Sequence, residues 1–281
     1  MSIQEPVVPA PNTAGRFAGE PPVLVSSQQE ISRLISRRAN RKDDFISKPS
    51  IKPLLVCLVI SVVLRIWLTI HTQGFIDGDE ALVGIQAQSI LHGQFPIYFY
   101  HQPYMGSLEA YIMALIFAIA GSSVWTLRAE PILLTLFVVW LTWRLAGELA
   151  DIAKLPLHAK QWFMNIAALI AAMPPLYDTV MEMRLLGGYI ESFILMLLLL
   201  LSALRLTNRR KAGASRRELV WRWAGIGFLA GLGFWVNPLT SYALLAIALW
   251  LLWDAVKVFR QAREHRIRRL ARQVLMPAGR P

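Results

Sequence analysis

The chain has 281 residues, of which 55% are hydrophobic and 17% charged, and it carries a formal net charge of +11. That balance excludes an ordinary soluble domain and points to an integral membrane protein. One cysteine, Cys57, excludes an intrachain disulfide framework and reads as a small core or lipid-facing residue, while ten Trp and seven Tyr suit anchoring at a membrane interface.

Residues 1–50 begin with a stretch rich in Pro, Ser, Gln and Gly, which reads as a disordered tail. The first apolar run starts too far along the chain, with too little resembling a cleavage site, for a removable signal peptide. The basic residues fall in three blocks, 33–52, 205–222 and 257–272, each flanking hydrophobic segments. These blocks read as topology signals, and a nucleic-acid partner is not expected. The last block, within a basic tail at 257–281, suits anionic lipid headgroups.

A spanning helix needs roughly 20 mostly apolar residues. Segments 53–70, 131–147, 188–205, 223–237 and 239–256 meet this, and 161–177 does so with Pro174 and Pro175 at its far end, where a helix can stop. The segment 108–121 is too short and starts beside Glu109. If it spanned, seven helices would put both later basic blocks outside; as an interfacial or re-entrant helix it leaves six spans with both termini inside. The expected fold is therefore an all-α bundle with a transmembrane core at 51–256. Residues 71–130 then form one long outer loop, joined on the same side by the turn 177–191.

The acids gather on these two loops. "DGDEA" sets Asp77, Asp79 and Glu80 just before a helix-like stretch, 80–92, whose Leu82, Ile85, Ser89 and Leu91 suit a face lying on the membrane. Asp79 near that helix terminus is either a cap, with Asp77 and Glu80 merely solvated, or a general base tuned by its neighbours. Gln102, Tyr104 and Glu109, with Tyr98, Tyr100 and Tyr111, suit a sugar site, or an aromatic belt at the interface. His92 and His101 lack tight metal-ligand spacing. In the second turn Arg184 reads as a snorkelling residue or a partner for Glu182, or as a phosphate ligand; Gly187 and Gly188 there permit close approach of backbone or ligand. Arg65 and Glu191, costly in lipid, are expected to point inward.

The ordered series of a first span, an acidic outer loop, an interfacial helix, "GSSVWTLR", a second span and "RLLGGYIE" resembles the bacterial GT-C membrane glycosyltransferases, relatives of protein O-mannosyltransferases and aminoarabinose transferases. The resemblance covers residues 54–256, the N-terminal transmembrane part of a family whose members are usually considerably longer. It implies an inner-membrane enzyme that moves a sugar from a polyprenyl-phosphate donor to the hydroxyl of an envelope glycan, lipid or protein on the extracytoplasmic side, with inversion. Asp79 matches the catalytic acid, with Glu80 beside it, and a divalent cation at Asp79 and Glu80 is a possible cofactor. Asp77, Gln102, Tyr104, Glu109, Arg128, Glu182, Arg184 and Tyr189 are the candidate substrate-binding residues. The alternative is a non-catalytic lipid-carrier binding or transport subunit, or an inactive truncated fragment. A transporter half-module should show an internal repeat, and none is visible between 54–150 and 160–256.

Overall fold

A computed structural model describes residues 49–275. The expected disordered tail and most of the first basic block lie outside that range. Helix α1 (Lys52–His71) starts with Pro53 in its first turn, where the missing N–H costs nothing. Next come α2 (Gly78–Leu91), a two-stranded antiparallel hairpin of β1 (Tyr98–Phe99) and β2 (Gln102–Gly106), and the 13-residue α3 (Leu108–Ala120). The long helices α4 (Val124–Ile152), α7 (Tyr189–Lys211), α8 (Arg216–Val236) and α9 (Ser241–Leu275) make up the rest of the bundle. Between α4 and α7, α5 (Leu157–Ala172) is followed by the short α6 (Leu176–Glu182).

Among the described residues, five helical segments are long and apolar enough to cross a membrane: α1, α4, α7, α8 and Pro238–Gln261. The pair α5 and α6 adds a sixth if taken as one broken span, bent by 71° where Pro174 and Pro175 interrupt the helix. The α3 helix is too short to cross alone, as its sequence implies.

The bundle is built around α7, whose leucine run is apolar on all sides and so can be surrounded; 67% of its apolar window is inside, against 17% for α8. Leu199, Ala203 and Leu206 of α7 pack with Ile226 of α8 and Ile247 of α9. On its other side Ile190, Ile194 and Leu197 meet Val138 and Leu141 of α4. Cys57 is a buried core residue between α1, α4 and α5, with Leu54, Trp143 and Met164.

A separate cluster supports one end of the bundle. Val83 and Ala87 of α2, Phe99 and Met105 of the hairpin, and Met113 and Phe117 of α3 enclose Leu127 of α4 and Leu185. Thus α2 buries Val83, Gly84, Gln86, Ala87 and Ile90, while Ile85 and Leu91 of the expected membrane face remain exposed. Gln86 locks this layer together: its amide donates to Tyr98 O at 2.9 Å and to Ser107 Oγ at 3.0 Å, and its oxygen accepts from Tyr100 N.

One boundary differs in a way that matters. Residues 124–130, expected in the outer loop, are the opening turns of α4, which a Ser123–Thr126 capping box starts well before Pro131. Arg128 and Glu130 therefore stand on a rigid helix rather than a loop. Pro131 is accommodated inside that helix, and the Thr135 hydroxyl donates to its carbonyl at 2.7 Å.

Candidate functional site

At the end of the bundle where α1 stops and α4 and α7 begin, a cavity of about 580 Å³ opens. Leu68, Thr72, Phe75, Val180 and Met183 make up its largely apolar wall, and Asp77, Glu80, Arg128 and Arg184 its polar one. Both walls draw on residues 68–80 and 180–184, with Arg128 of α4 added to the polar one, so neither wall stands in the sequence as one motif.

The polar wall begins with the cap of α2. Asp77, not Asp79, is the capping residue: its side chain accepts from Glu80 N at 3.1 Å, and Glu80 Oε2 accepts from Asp77 N at 2.9 Å. Gly78 at the first helical position lets Asp77 stand three residues before Glu80, the spacing a reciprocal capping box requires. Nor are Asp77 and Glu80 simply solvated. Asp77 also forms an ion pair with Arg184, which ties the start of α2 to the segment after α6.

Glu80 is only 2% exposed, so its charge must be matched. Arg128, one turn into α4, supplies the match through both guanidinium ends, with Nη2 3.0 Å from Glu80 Oε2. Arg128 also donates to Met183 O at 2.7 Å and to Phe75 O. One planar side chain thus joins α2, the loop before it, α4 and the segment after α6. Four hydrogen bonds from its two terminal nitrogens offset the cost of burying the guanidinium.

Arg65 serves the neighbouring elbow. It is fully buried and donates to Ser61 Oγ at 2.8 Å, to Ala172 O at 3.1 Å and to Glu182. It thereby caps the broken end of α5 and anchors α6. The expected pairing of Glu182 with Arg184 is replaced by two crossed pairs, Glu182 with Arg65 and Arg184 with Asp77. Sequence proximity favoured the first pairing, whereas the 71° break turns the end of α6 toward α1.

Glu109 is buried behind the site, where Glu109 Oε2 accepts from Gly187 N and, at 2.9 Å, from Gly188 N. Both glycines are left-handed, with φ of 77° and 88°. A Cβ on Gly187 would stand 2.8 Å from Met105, and one on Gly188 2.8 Å from Val236. The close approach expected here is therefore made by protein side chains. Burial, and next the charge of Glu191, push Glu109 well above the usual carboxylate range; the N–H groups of Gly188, Gly187 and Leu186 pull it back. Glu130 and Glu191, both buried, lie close enough for their charges to be felt within this group of acids, and none of their carboxylate oxygens has a hydrogen-bond partner among the described residues.

The remaining candidates are dispersed. Asp79 is exposed, in the first turn of α2, between two residues that line the cavity but not itself in the lining. Gln102 and Tyr104 lie on β2, where the Tyr104 hydroxyl donates to Gln102 Oε1 at 3.0 Å. Tyr98 and Tyr104 are exposed, and neither borders the cavity. Tyr189 and Glu182 border a second cavity on the far side of α6. Among the described residues no three His, Cys, Asp or Glu side chains are grouped to hold a metal, and Glu80, one of the two metal candidates, is engaged by Arg128.

Compared with models of protein families, with characterised proteins and with solved structures, the chain matches none. The chemistry of the site must therefore be read from its own residues. It offers a guanidinium and an arginine-paired carboxylate at the border of an apolar cavity, the exposed Asp79 in the turn next to its lining, and a rigid support made of buried ion pairs.

Arg128 and Arg184 are the Lys or Arg residues that the sequence places in 71–130 and 177–191 among many acids, and that imbalance is the signal that could have found their pairing. Phe75, Val180 and Met183 went unremarked, because isolated apolar residues in a membrane-type sequence carry no signal of their own.

Proposed function

We propose that this chain is a membrane glycosyltransferase of the GT-C type, with six spans and both termini in the cytoplasm. It moves a sugar from a polyprenyl phosphate to an acceptor hydroxyl on the extracytoplasmic side. The observation that carries this reading is the cavity itself, where Arg184 and the Asp77–Glu80 turn face the hydrocarbon side chains of Leu68, Phe75, Val180 and Met183. A lipid phosphate needs that combination of a fork of N–H donors and an apolar wall. The basic blocks support the sidedness, since the Lys and Arg residues of 205–222 belong to the opposite end of the bundle.

In this mechanism Asp79 takes the proton of the acceptor hydroxyl, and the oxygen attacks the anomeric carbon from the face opposite the phosphate. The bond from that carbon to the phosphate oxygen breaks, its electron pair leaves with the lipid phosphate, and the configuration inverts. Arg184 has five donors, so it can keep its bond to Asp77 and still turn others to the leaving phosphate. Glu80 and Arg128 hold the turn in place and take no part in proton transfer.

Asp79→Asn in native membranes should lower sugar transfer by about 10²-fold or more, the scale of general-base removal. Transfer at the wild-type rate would sink the base assignment. Arg184→Ala should raise the apparent KM for donor more than for acceptor, and an unchanged donor KM would remove its phosphate role. Both carboxylates in the cavity wall are already engaged by arginines, an observation that favours the rival reading of a non-catalytic lipid-carrier binding subunit. That rival predicts retained donor binding with no transfer in the unmodified protein.

A further inference from the structure

The break between α5 and α6 creates a second cleft, of about 520 Å³, on the opposite face of α6 from the first cavity. Because α5 stops at Ala172 and α6 departs at 71°, a gap is left against α4 and α7. Ile170, Pro174 and Phe193 wall its apolar part, and Ile170 and Phe193 are 62% and 43% exposed, so the gap opens sideways where lipid would stand. Its polar part holds Asp178, Glu182 and Tyr189, and no Lys or Arg is in the lining. Arg65 neutralises Glu182 from behind. Asp178 is exposed, close enough for its charge to be felt at Glu182, and has no ion-pair partner among the described residues. The first cavity, by contrast, contains two arginines.

A cleft with an apolar wall, one unmatched carboxylate and an exposed phenol ring has the chemistry of an ammonium site. The carboxylate attracts the cation and the ring face adds a cation–π contact, whereas an anionic headgroup would meet Asp178 with nothing to offset the repulsion. We propose that this cleft holds one chain of a bilayer aminophospholipid, phosphatidylethanolamine, with its ammonium at Asp178 and Tyr189. The site is separate from the donor cavity and does not depend on sugar transfer taking place.

The test uses the full chain in nanodiscs of equal parts phosphatidylethanolamine and phosphatidylglycerol with matched acyl chains, released into detergent and weighed by native mass spectrometry. The retained lipid should be enriched in phosphatidylethanolamine by about three- to five-fold, the scale of one exposed charge pair plus a cation–π contact. Asp178→Asn, a conservative change at an exposed position, should bring the ratio to about one, and Tyr189→Leu should lower it partway. Ala171→Trp, which fills the slot, should reduce retention of both lipids, with the thermal midpoint in detergent reporting whether the variant is folded. Equal retention of the two lipids by the unmodified protein, or an unchanged ratio in Asp178→Asn, overturns the proposal. Preferential retention of phosphatidylglycerol would also overturn it and would make the cleft an anionic-lipid site. No sugar donor is present, so the outcome is independent of the Asp79 test.

Discussion

The two ends of the bundle use charge in opposite ways. At the end with the cavity, Glu80, Arg128 and Arg65 are almost wholly buried, and each bonds to backbone as well as to its ionic partner, Glu80 to Asp77 N and each arginine to two carbonyls. At the other end the pairs are partly or fully open to solvent: Lys160 with Asp151 at 2.6 Å, Arg205 with Glu148 at 2.9 Å, and Arg222 with Glu218 at 2.9 Å one turn away on α8. Among the described ion pairs of that end Asp254 alone is buried, with Lys211 at 3.0 Å and Arg210 at 3.9 Å. Buried pairs fix geometry, because an unmatched charge in the interior is far more costly than one in water. Exposed pairs hold little, and the charges of that end matter through their sign and number. The difference separates a region built for shape from a region built for orientation.

If that comparison is right, the largest effect belongs to Arg128. Arg128→Met leaves Glu80 buried without a counter-charge and frees the carbonyls of Phe75 and Met183, so it should cost about 3–5 kcal/mol. Thermal unfolding in detergent micelles measures this, and the double variant with Glu80→Gln should recover part of the loss. A cost under about 1 kcal/mol would place this pair with the surface pairs of the other end. Next in size is Gly187→Ala, which forces a Cβ into a left-handed position 2.8 Å from Met105. It should cost about 1–3 kcal/mol; if its unfolding midpoint were unchanged, the turn would not be the rigid support of Glu109 described above.

The sequence conveyed the scale of the fold better than its corners. Run length and the proline pair located the long helices and the break after Ala172, because in lipid a helix is nearly the only way to satisfy the backbone. The start of α4 was missed by seven residues: a proline read as a boundary is tolerated inside a helix that a capping box has already begun. Asp79 was the acid weighed as a cap of α2 or a general base, because three acids stand within four residues, and the choice of cap among them rests on the Asp77–Glu80 spacing and on where Arg128 and Arg184 stand. Arg65 and Glu191 were legible as inward-facing from the cost of charge in hydrocarbon alone. That Arg65 would meet Glu182, and Glu191 the pair Glu109 and Glu130, was not, since those contacts depend on the angle of one elbow and the register of three helices.

A smaller effect tests the interior through pH. Glu109 is raised well above its ordinary value by burial and by Glu191, so the folded protein binds a proton there more tightly than the unfolded chain does. Between the ordinary carboxylate pKa and the raised one, the folded state therefore holds more protons, and stability falls as pH rises through that window. Glu109→Gln removes the titration while its amide oxygen can still accept from Gly187 and Gly188. The midpoint of unfolding should then decline less from acid toward neutral pH than in the unmodified protein. Parallel pH profiles would mean that Glu109 titrates alike in both states.

The smallest expected effect is at the opposite end, and it is the one that decides whether the two ends truly differ. Lys160 donates to Asp151 at 2.6 Å, close to the 2.5 Å of the buried Arg128–Glu80 pair, yet Asp151 is 57% exposed. If distance governed strength, Lys160→Ala would be as damaging as the loss of Arg128. Water screens this pair and both side chains lose freedom in making it, so the change should fall within about 0.5 kcal/mol and shrink further with added salt. A loss above about 2 kcal/mol, insensitive to salt, would show that burial is not what separates the two ends.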